Sequence, residues 1–324
     1  MAATLLHGQA TKGQVTAILG WSSLKGIAAL CLGAALCVSL GGSPGSTGAT
    51  STKRRAEGPA SATAPRTSAK KTTAAAAKLP VNPFLTRAMR VYLRGRDGDI
   101  TAALYNFTDK TTYLYRPGIA EQTASIIKVD ILATLIWEEQ GSADPLGGQD
   151  QEVAEGMIED SDDDDATELW NEVGGSQPVS NFDELVGMID TAPNTMGYWG
   201  ETTTTAADQI ELLKYIVLPN SLLDNASRVY ELGLMENVVG SQRWGVSTGP
   251  PASATVALKN GWVPIVADDW QVNSVGYING FGRRYLIAVL TNGNLNESYG
   301  IDTIDGISRI LWSELAPSKE PSRD

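Results

Sequence analysis

The sequence holds almost no histidine or cysteine: its one histidine is His7 and its two cysteines are Cys31 and Cys37. From residue 38 onward the chain can therefore build no Ser-His-Asp triad, no His- or Cys-ligated zinc site and no disulfide. Charge is also sparse, at 19% of residues, and it is unevenly spread. Residues 1–80 hold nine of the 25 lysines and arginines and one of the 37 acids, Glu57, which leaves 81–324 with 36 acids against 16 bases. Such a surface cannot neutralise phosphates, which argues against nucleic acid as a partner. Its self-repulsion favours a monomer.

Uncharged apolar runs are scarce, the exception being residues 26–40 (GIAALCLGAALCVSL), which follow Lys12 and Lys25. This run, within residues 1–41, is expected to be a cleaved signal or an uncleaved membrane anchor, with the basic residues on the cytoplasmic side. Residues 42–80 are mostly Ala, Thr, Ser, Pro and Gly with scattered positive charge. They lack the apolar side chains that would offset chain entropy, so a disordered linker is expected. The remainder, 81–324, reads as one globular domain on the extracellular or cell-surface side, tied to the membrane only through the N-terminal segment.

Within that domain the apolar spacing predicts helices over 83–93, 125–140, 152–159, 165–173, 205–217, 222–237 and 302–315. Strands are expected over 100–107, 111–115, 254–259, 270–278 and 285–291. Strands at both ends of the domain and helices in the middle point to one sheet built from both chain ends, with a helical subdomain between.

Three short motifs carry chemistry. Ser125-Ile126-Ile127-Lys128 opens a helix, and residues at i and i+3 share a helical face, so hydroxyl and ammonium are neighbours. A lysine whose pKa is pushed down by burial can act as the base that serine needs. The helix N-terminus adds free N–H groups where an oxyanion would form. Ser161-Asp162-Asp163 falls between two helices, and Lys259-Asn260-Gly261 falls on a strand. The acid run from Asp162 to Asp165 lacks the spaced oxygens, glycine and terminal glutamate of a calcium loop, so it reads as a turn or cap. No metal or cofactor is expected.

In this order and in these contexts, the three motifs resemble the Ser-x-x-Lys, Ser-Asp-Asn and Lys-Thr-Gly signatures of class A β-lactamases and penicillin-binding proteins. The resemblance implies an α/β fold with a five-stranded antiparallel sheet, flanking helices and an all-helical subdomain. It implies that Ser125 attacks a carbonyl and forms an acyl-enzyme, that Lys128 takes its proton, and that Ser161 passes a proton to the leaving nitrogen. Lys259 would supply positive potential for the substrate carboxylate and for Ser161, and Asp163, Asn260, Gly261 and Trp262 would bind substrate, with the backbone N–H groups of Ser125 and Trp262 forming the oxyanion hole.

The sequence departs from the family pattern at three places. Asp163 stands where the family has asparagine, and pairing with Lys128 would raise the lysine's pKa. Asn260 stands for threonine. The loop glutamate that activates the deacylating water has no equivalent segment; Asp190 and Glu201 are the candidates for that role. The implied function is an exported serine hydrolase acting on β-lactams or related amides. The alternatives are a D,D-peptidase-like enzyme on cell-wall peptides and a catalytically silent binding protein that keeps the pocket.

Overall fold

The computed structural model describes residues 81–140, 146–266, 269–315 and 317. The expected signal or anchor and the linker lie outside the described residues. No described helix is long and apolar enough to cross a membrane.

A short 3₁₀ turn leads into α1 (Arg87–Arg94), then β1 (Asp99–Asn106), β2 (Thr111–Tyr115) and a two-residue strand, β3 (Glu121–Gln122). Helix α2 (Ile127–Glu139) opens a helical block that continues with α3 (Gly148–Glu155), α4 (Asp163–Glu172) and α5 (Ser176–Val186). After β4 (Thr203–Thr204) come α6 (Ala206–Val217) and α7 (Asn225–Asn237). Strands β5 (Thr255–Val266), β6 (Asp269–Gly280) and β7 (Arg283–Asn294) precede α8 (Glu297–Glu314).

The main sheet has the order β2-β1-β7-β6-β5, and all of its pairings are antiparallel. The N-terminal hairpin therefore docks on the last strand to be made, β7, and β5 is left as an edge. Alternate residues of each strand face opposite sides. On one face Ala103, Ala257, Val275, Leu286, Ala288 and Leu290 pack against the helical block. On the other, Ala102, Leu104, Leu258, Ile287 and Val289 pack with Met89 and Leu93 of α1 and Ile304, Ile307 and Leu311 of α8.

Helix α2 is the axis of the helical block. Ten consecutive residues, Ile127 to Ile136, are buried, as expected of a helix apolar on nearly all sides. Burying each large aliphatic side chain contributes roughly 1.5–3 kcal/mol before entropy is counted, so this helix is a firm base for the residues at its start.

The expected elements are present, with longer strands and a longer last helix. One helix, α5, was not expected. Gly174 and Gly175 precede it and Pro178 lies inside it, which reads as a loop. Pro178 falls in the first turn, however, where backbone N–H groups have no intrahelical partner to lose.

Candidate active site

Ser125 lies in a 3₁₀ turn, Ala124–Ile126, that runs directly into α2. The segment before it is held from three sides. Thr123 donates its N–H to the Thr202 carbonyl at 2.8 Å, beside the β3–β4 pairing. Buried Asn273 of β6 donates to the carbonyls of Gln122 and Thr123 at 2.8 and 3.0 Å. Gly261 of β5 presses on the turn itself: a Cβ added there would lie 2.7 Å from the Ser125 nitrogen and 2.8 Å from that of Ile126. Only glycine permits that approach of strand to turn. Ala124 takes φ +46°, a conformation that costs energy for an L side chain and persists only where the surroundings hold it.

The second motif is positioned by an irregular helix end. Gly156–Asp160 forms a π-helical turn, and Ser161 then takes the left-handed conformation (φ 60°, ψ 38°). Asp162 caps α4 by accepting N–H bonds from Asp164 and Asp165 at 2.8 and 3.1 Å. The acid run is thus a helix cap, and Asp163, first in the helix, is free to turn toward Lys128.

Lys128, fully buried, donates to the Ser161 carbonyl at 2.8 Å, to its hydroxyl at 3.3 Å and to Asp163 Oδ1 at 2.6 Å. Its ammonium also lies 4.9 Å from the centre of the Trp199 ring. Lys259, equally buried, donates to the Ser161 hydroxyl at 2.7 Å and to the Asn260 carbonyl at 3.1 Å. Two ammonium groups thus aim at one hydroxyl oxygen, which has two lone pairs to receive them. The Ser161 O–H is then left to donate to a third group, the arrangement needed to hand on a proton.

Burial pushes the pKa of Lys128 down, and Asp163, which acts the other way, does not cancel it. The expectation that the ion pair would raise this pKa holds for the sign of the Asp163 effect and not for the net result. Lys259 is pushed well down, by burial first and by the neighbouring Lys128 second.

A cavity of about 530 Å³ opens in front of these groups. Ser125, Asp163, Glu201 and Trp262 line it, together with Ala124, Gln122, Thr167, the edge residues Val263, Pro264 and Ile265, and the stretch Gly197 to Gly200. Ser125, Lys128, Ser161, Asp163, Lys259, Gly261 and Trp262 are therefore brought together.

Asn260 is not a lining residue. Its side chain is buried and donates to the carbonyls of Gln242 and Trp244 at 2.7 and 3.4 Å, which ties β5 to the segment before it. Asp190 also stays outside the cavity. It is exposed, and its N–H donates to Asp208 at 2.9 Å. Glu201 does reach the wall, where Asn194 donates to it at 3.3 Å. Sequence reasoning did not single out Tyr198, Trp199 or Asn273. The first two follow a loop with no regular pattern, and an asparagine inside a strand gives no sign of what it will bind.

A family profile described as "Beta-lactamase enzyme family" matches residues 140–315, more than half of the chain. That stretch includes the Ser161 and Lys259 motifs and begins after Ser125 and Lys128. The curated protein named "Putative lipoprotein LppW", from Mycobacterium tuberculosis and Mycobacterium bovis, is 30% identical over 176 residues, which are 52% of this chain and 54% of the relative. The chain thus spans about half the length of the curated relatives it matches.

Among solved structures, an ancestral class A β-lactamase (GNCA) aligns with a TM-score of 0.61 at 18% identity, covering 70% of this chain and 98% of that one. A structure titled PBP-A gives 0.61 at 20%, covering 71% and 96%. A class A β-lactamase from Mycobacterium abscessus gives 0.60 at 18%, covering 69% and 96%. At these identities the likeness establishes the fold. With the sheet order and the profile match, the chain belongs to the β-lactamase enzyme family.

Proposed function

We propose that this protein is a serine hydrolase that forms an acyl-enzyme on Ser125 with a β-lactam or a related amide, outside the membrane. The observation that carries the reading is the Ser161 hydroxyl, held by two buried lysines of depressed pKa beside a cavity that Ser125 lines. In this reading the Ser125 oxygen attacks the carbonyl while Lys128 takes its proton. The N–H groups of Ser125 and Trp262 hold the developing oxyanion, where donors of this kind are worth about 10²–10³ in rate. The C–N bond then breaks, and the proton travels from Lys128 through the Ser161 hydroxyl to the leaving nitrogen. Lys259 orients Ser161.

Deacylation needs a carboxylate near the ester. Glu201 is the candidate that lines the cavity, and Asp190 loses that role by its position. Glu201 is exposed, and among the described residues its carboxylate is held by one 3.3 Å hydrogen bond, from Asn194. This favours slow deacylation and gives weight to a second reading, a D,D-peptidase-like enzyme on cell-wall peptides. The lipoprotein name of the mycobacterial relative supports a place at the cell surface.

The test is intact-mass analysis of the purified full-length chain after incubation with millimolar ampicillin, beside Ser125→Ala. A lasting adduct of the drug's mass on the unsubstituted chain alone is expected. Loss of the drug with no lasting adduct, abolished in Ser125→Ala, means that deacylation is fast; neither an adduct nor drug loss with folded protein, or an equal adduct on Ser125→Ala, overturns the reading.

A further inference from the structure

Among the described residues β5 pairs only with β6, and its outer edge runs along the cavity, whose wall includes Trp262, Val263, Pro264 and Ile265. Which backbone groups this edge offers follows from the far side of β6. Trp262 is paired with Val272, and Pro264 with Trp270. The Val272 carbonyl accepts from the Thr291 hydroxyl at 2.6 Å, and the Trp270 carbonyl accepts from the Asn294 side chain at 2.8 Å. Both donors belong to β7, so residues 270 and 272 turn their backbone groups toward β7 and away from β5. Their partners on β5 sit in non-hydrogen-bonded pairs, in which both residues point N–H and C=O outward. Trp262 therefore presents an N–H and a carbonyl at the open edge, as an oxyanion donor must. Pro264 presents a carbonyl alone, because proline has no N–H.

Beyond Pro264 the register slips before Val266, and Pro264, Ile265 and Val266 are exposed. An extended chain laid antiparallel on this edge would pair with Trp262 through the residue that carries the attacked carbonyl. Its third residue, counted back from that carbonyl, would come opposite Pro264 and leave its own carbonyl against the proline ring with no donor. An edge proline blocks strand addition in this way, and here it does so in the wall of the cavity.

On the reading of Ser125 given above, we infer that Pro264 limits strand-like pairing of the acyl donor to one residue, so that the site favours short acylamino donors over extended peptides. An acylamino group next to the attacked carbonyl, as in penicillins, uses Trp262 and asks nothing of Pro264.

The experiment compares two thioesters on the purified full-length chain: phenylacetyl-D-alanyl thioglycolate, with one residue, and phenylacetyl-Gly-Gly-D-alanyl thioglycolate, with three. The Ser125 hydroxyl gives its proton to Lys128 and its oxygen bonds to the alanyl carbonyl carbon. The C–S bond breaks, and thioglycolate leaves as the thiolate. The initial burst of thioester loss, followed by absorbance, reads acylation whatever the fate of the ester. The longer donor should acylate no more than about twice as fast as the shorter, since it gains no complete pair of hydrogen bonds. Pro264→Val restores the N–H with a strand-forming residue and should raise the ratio of long to short about three- to tenfold, the effect of one backbone hydrogen bond. Pro264→Ala should raise it likewise. A ratio already that high in the unsubstituted chain, or unmoved by both substitutions, overturns the inference.

A second measurement does not depend on the nucleophile. In Ser125→Ala, the primary amides of the same two acyl groups should quench tryptophan fluorescence, and adding Pro264→Val should tighten the longer amide relative to the shorter by a similar factor. If the thioesters are consumed by the unsubstituted chain and not by Ser125→Ala, while neither ratio moves, the nucleophile stands and the length limit falls. If no thioester is consumed but the binding ratio moves, the nucleophile falls and the length limit stands. If no thioester is consumed and the binding ratio stays fixed, or neither amide binds, both are overturned.

Discussion

Gly261 shows how a single missing side chain can set a reaction centre. Its Cα faces backbone atoms, the nitrogens of Ser125 and Ile126 and the carbonyl of Thr123, with a Cβ position 2.7 to 2.9 Å from each. A flexible side chain could swing aside, whereas these atoms belong to the turn that aims Ser125. Gly261→Ala should therefore lower the acylation rate by about 10²-fold, the value of one displaced oxyanion donor. The loss should exceed any change in thermal midpoint. A normal burst from folded Gly261→Ala would contradict the proposed oxyanion geometry.

Asp163 has the opposite kind of effect, on charge rather than position. It favours the protonated form of Lys128, while burial favours the neutral form that can accept a proton. Removing the carboxylate in Asp163→Asn takes away the largest effect opposing burial and leaves only the weaker pull of Asp162 and Asp165, so the lysine's pKa falls further. The rising limb of acylation against pH should then move to lower pH, with a faster burst at neutrality. A limb that stays in place, or moves upward, would show that Lys128 is not the group that titrates.

At the scale of helices, the core of the helical block hides acids that the proposed chemistry does not use. Asp130 of α2, Asp183 of α5 and Glu231 of α7 are all buried; Asp130 and Asp183 lie close enough to share a proton, and the Glu231 oxygens find no hydrogen-bond partner among the described residues. Burial raises all three pKa values. Asp130 and Asp183 also face each other, Glu231 adds its charge against Asp130, and Asp208 of α6 adds its charge against Asp183. Thr134 of α2 is the nearby hydroxyl.

Neutral forms are thus favoured in the folded state, while the unfolded chain ionises near the ordinary range of about 3.9–4.3. Between that range and the raised values the folded state holds more protons, so stability falls as pH rises. The contribution is fully present below the unfolded pKa and is lost as pH climbs through the folded ones. Asp183→Asn, which mimics the protonated acid, should flatten the decline in thermal midpoint between about pH 5 and 9. An unchanged slope would show that this group does not set it.

None of this could be read from the sequence, because Asp130 interrupts an apolar helix by one residue and gives no sign of its partners on two other helices. The motif at Ser125 and Lys128 was legible because a fixed i, i+3 spacing on a helix already determines which face both residues share. The π-turn ahead of Ser161 and the cap at Asp162 depend on how a helix end is packed, which spacing does not encode. Asn260 shows the same limit within a motif: its residue type suited substrate binding, and the fold used it to tie β5 to the segment before it.

Over the whole domain, sheet order was legible only in outline. Alternating strands at both chain ends imply a shared sheet, while the docking of β1 on β7, which leaves β5 at the edge, depends on contacts between residues nearly 200 positions apart. That order brings the Lys259 strand against the turn holding Ser125, so the site is a product of the complete topology. The same scale governs the electrostatic field. Residues 81–324 carry 36 acids against 16 bases, and a field of one sign draws oppositely charged ligands toward a cleft and repels like-charged ones.

Salt screens such a field over about 10 Å at 0.1 M and about 3 Å at 1 M. Among p-nitrophenyl esters of matched length, the acylation rate of Ser125 by the cationic 6-aminohexanoyl ester, measured at low concentration, should therefore fall several-fold between about 0.02 and 0.5 M sodium chloride. The rate with the adipoyl ester should rise, and that with the hexanoyl ester should stay flat. If all three esters respond alike, the global charge plays no part in delivery. If the cationic ester slows while the anionic one accelerates, the excess of 36 acids over 16 bases in residues 81–324 governs the encounter step.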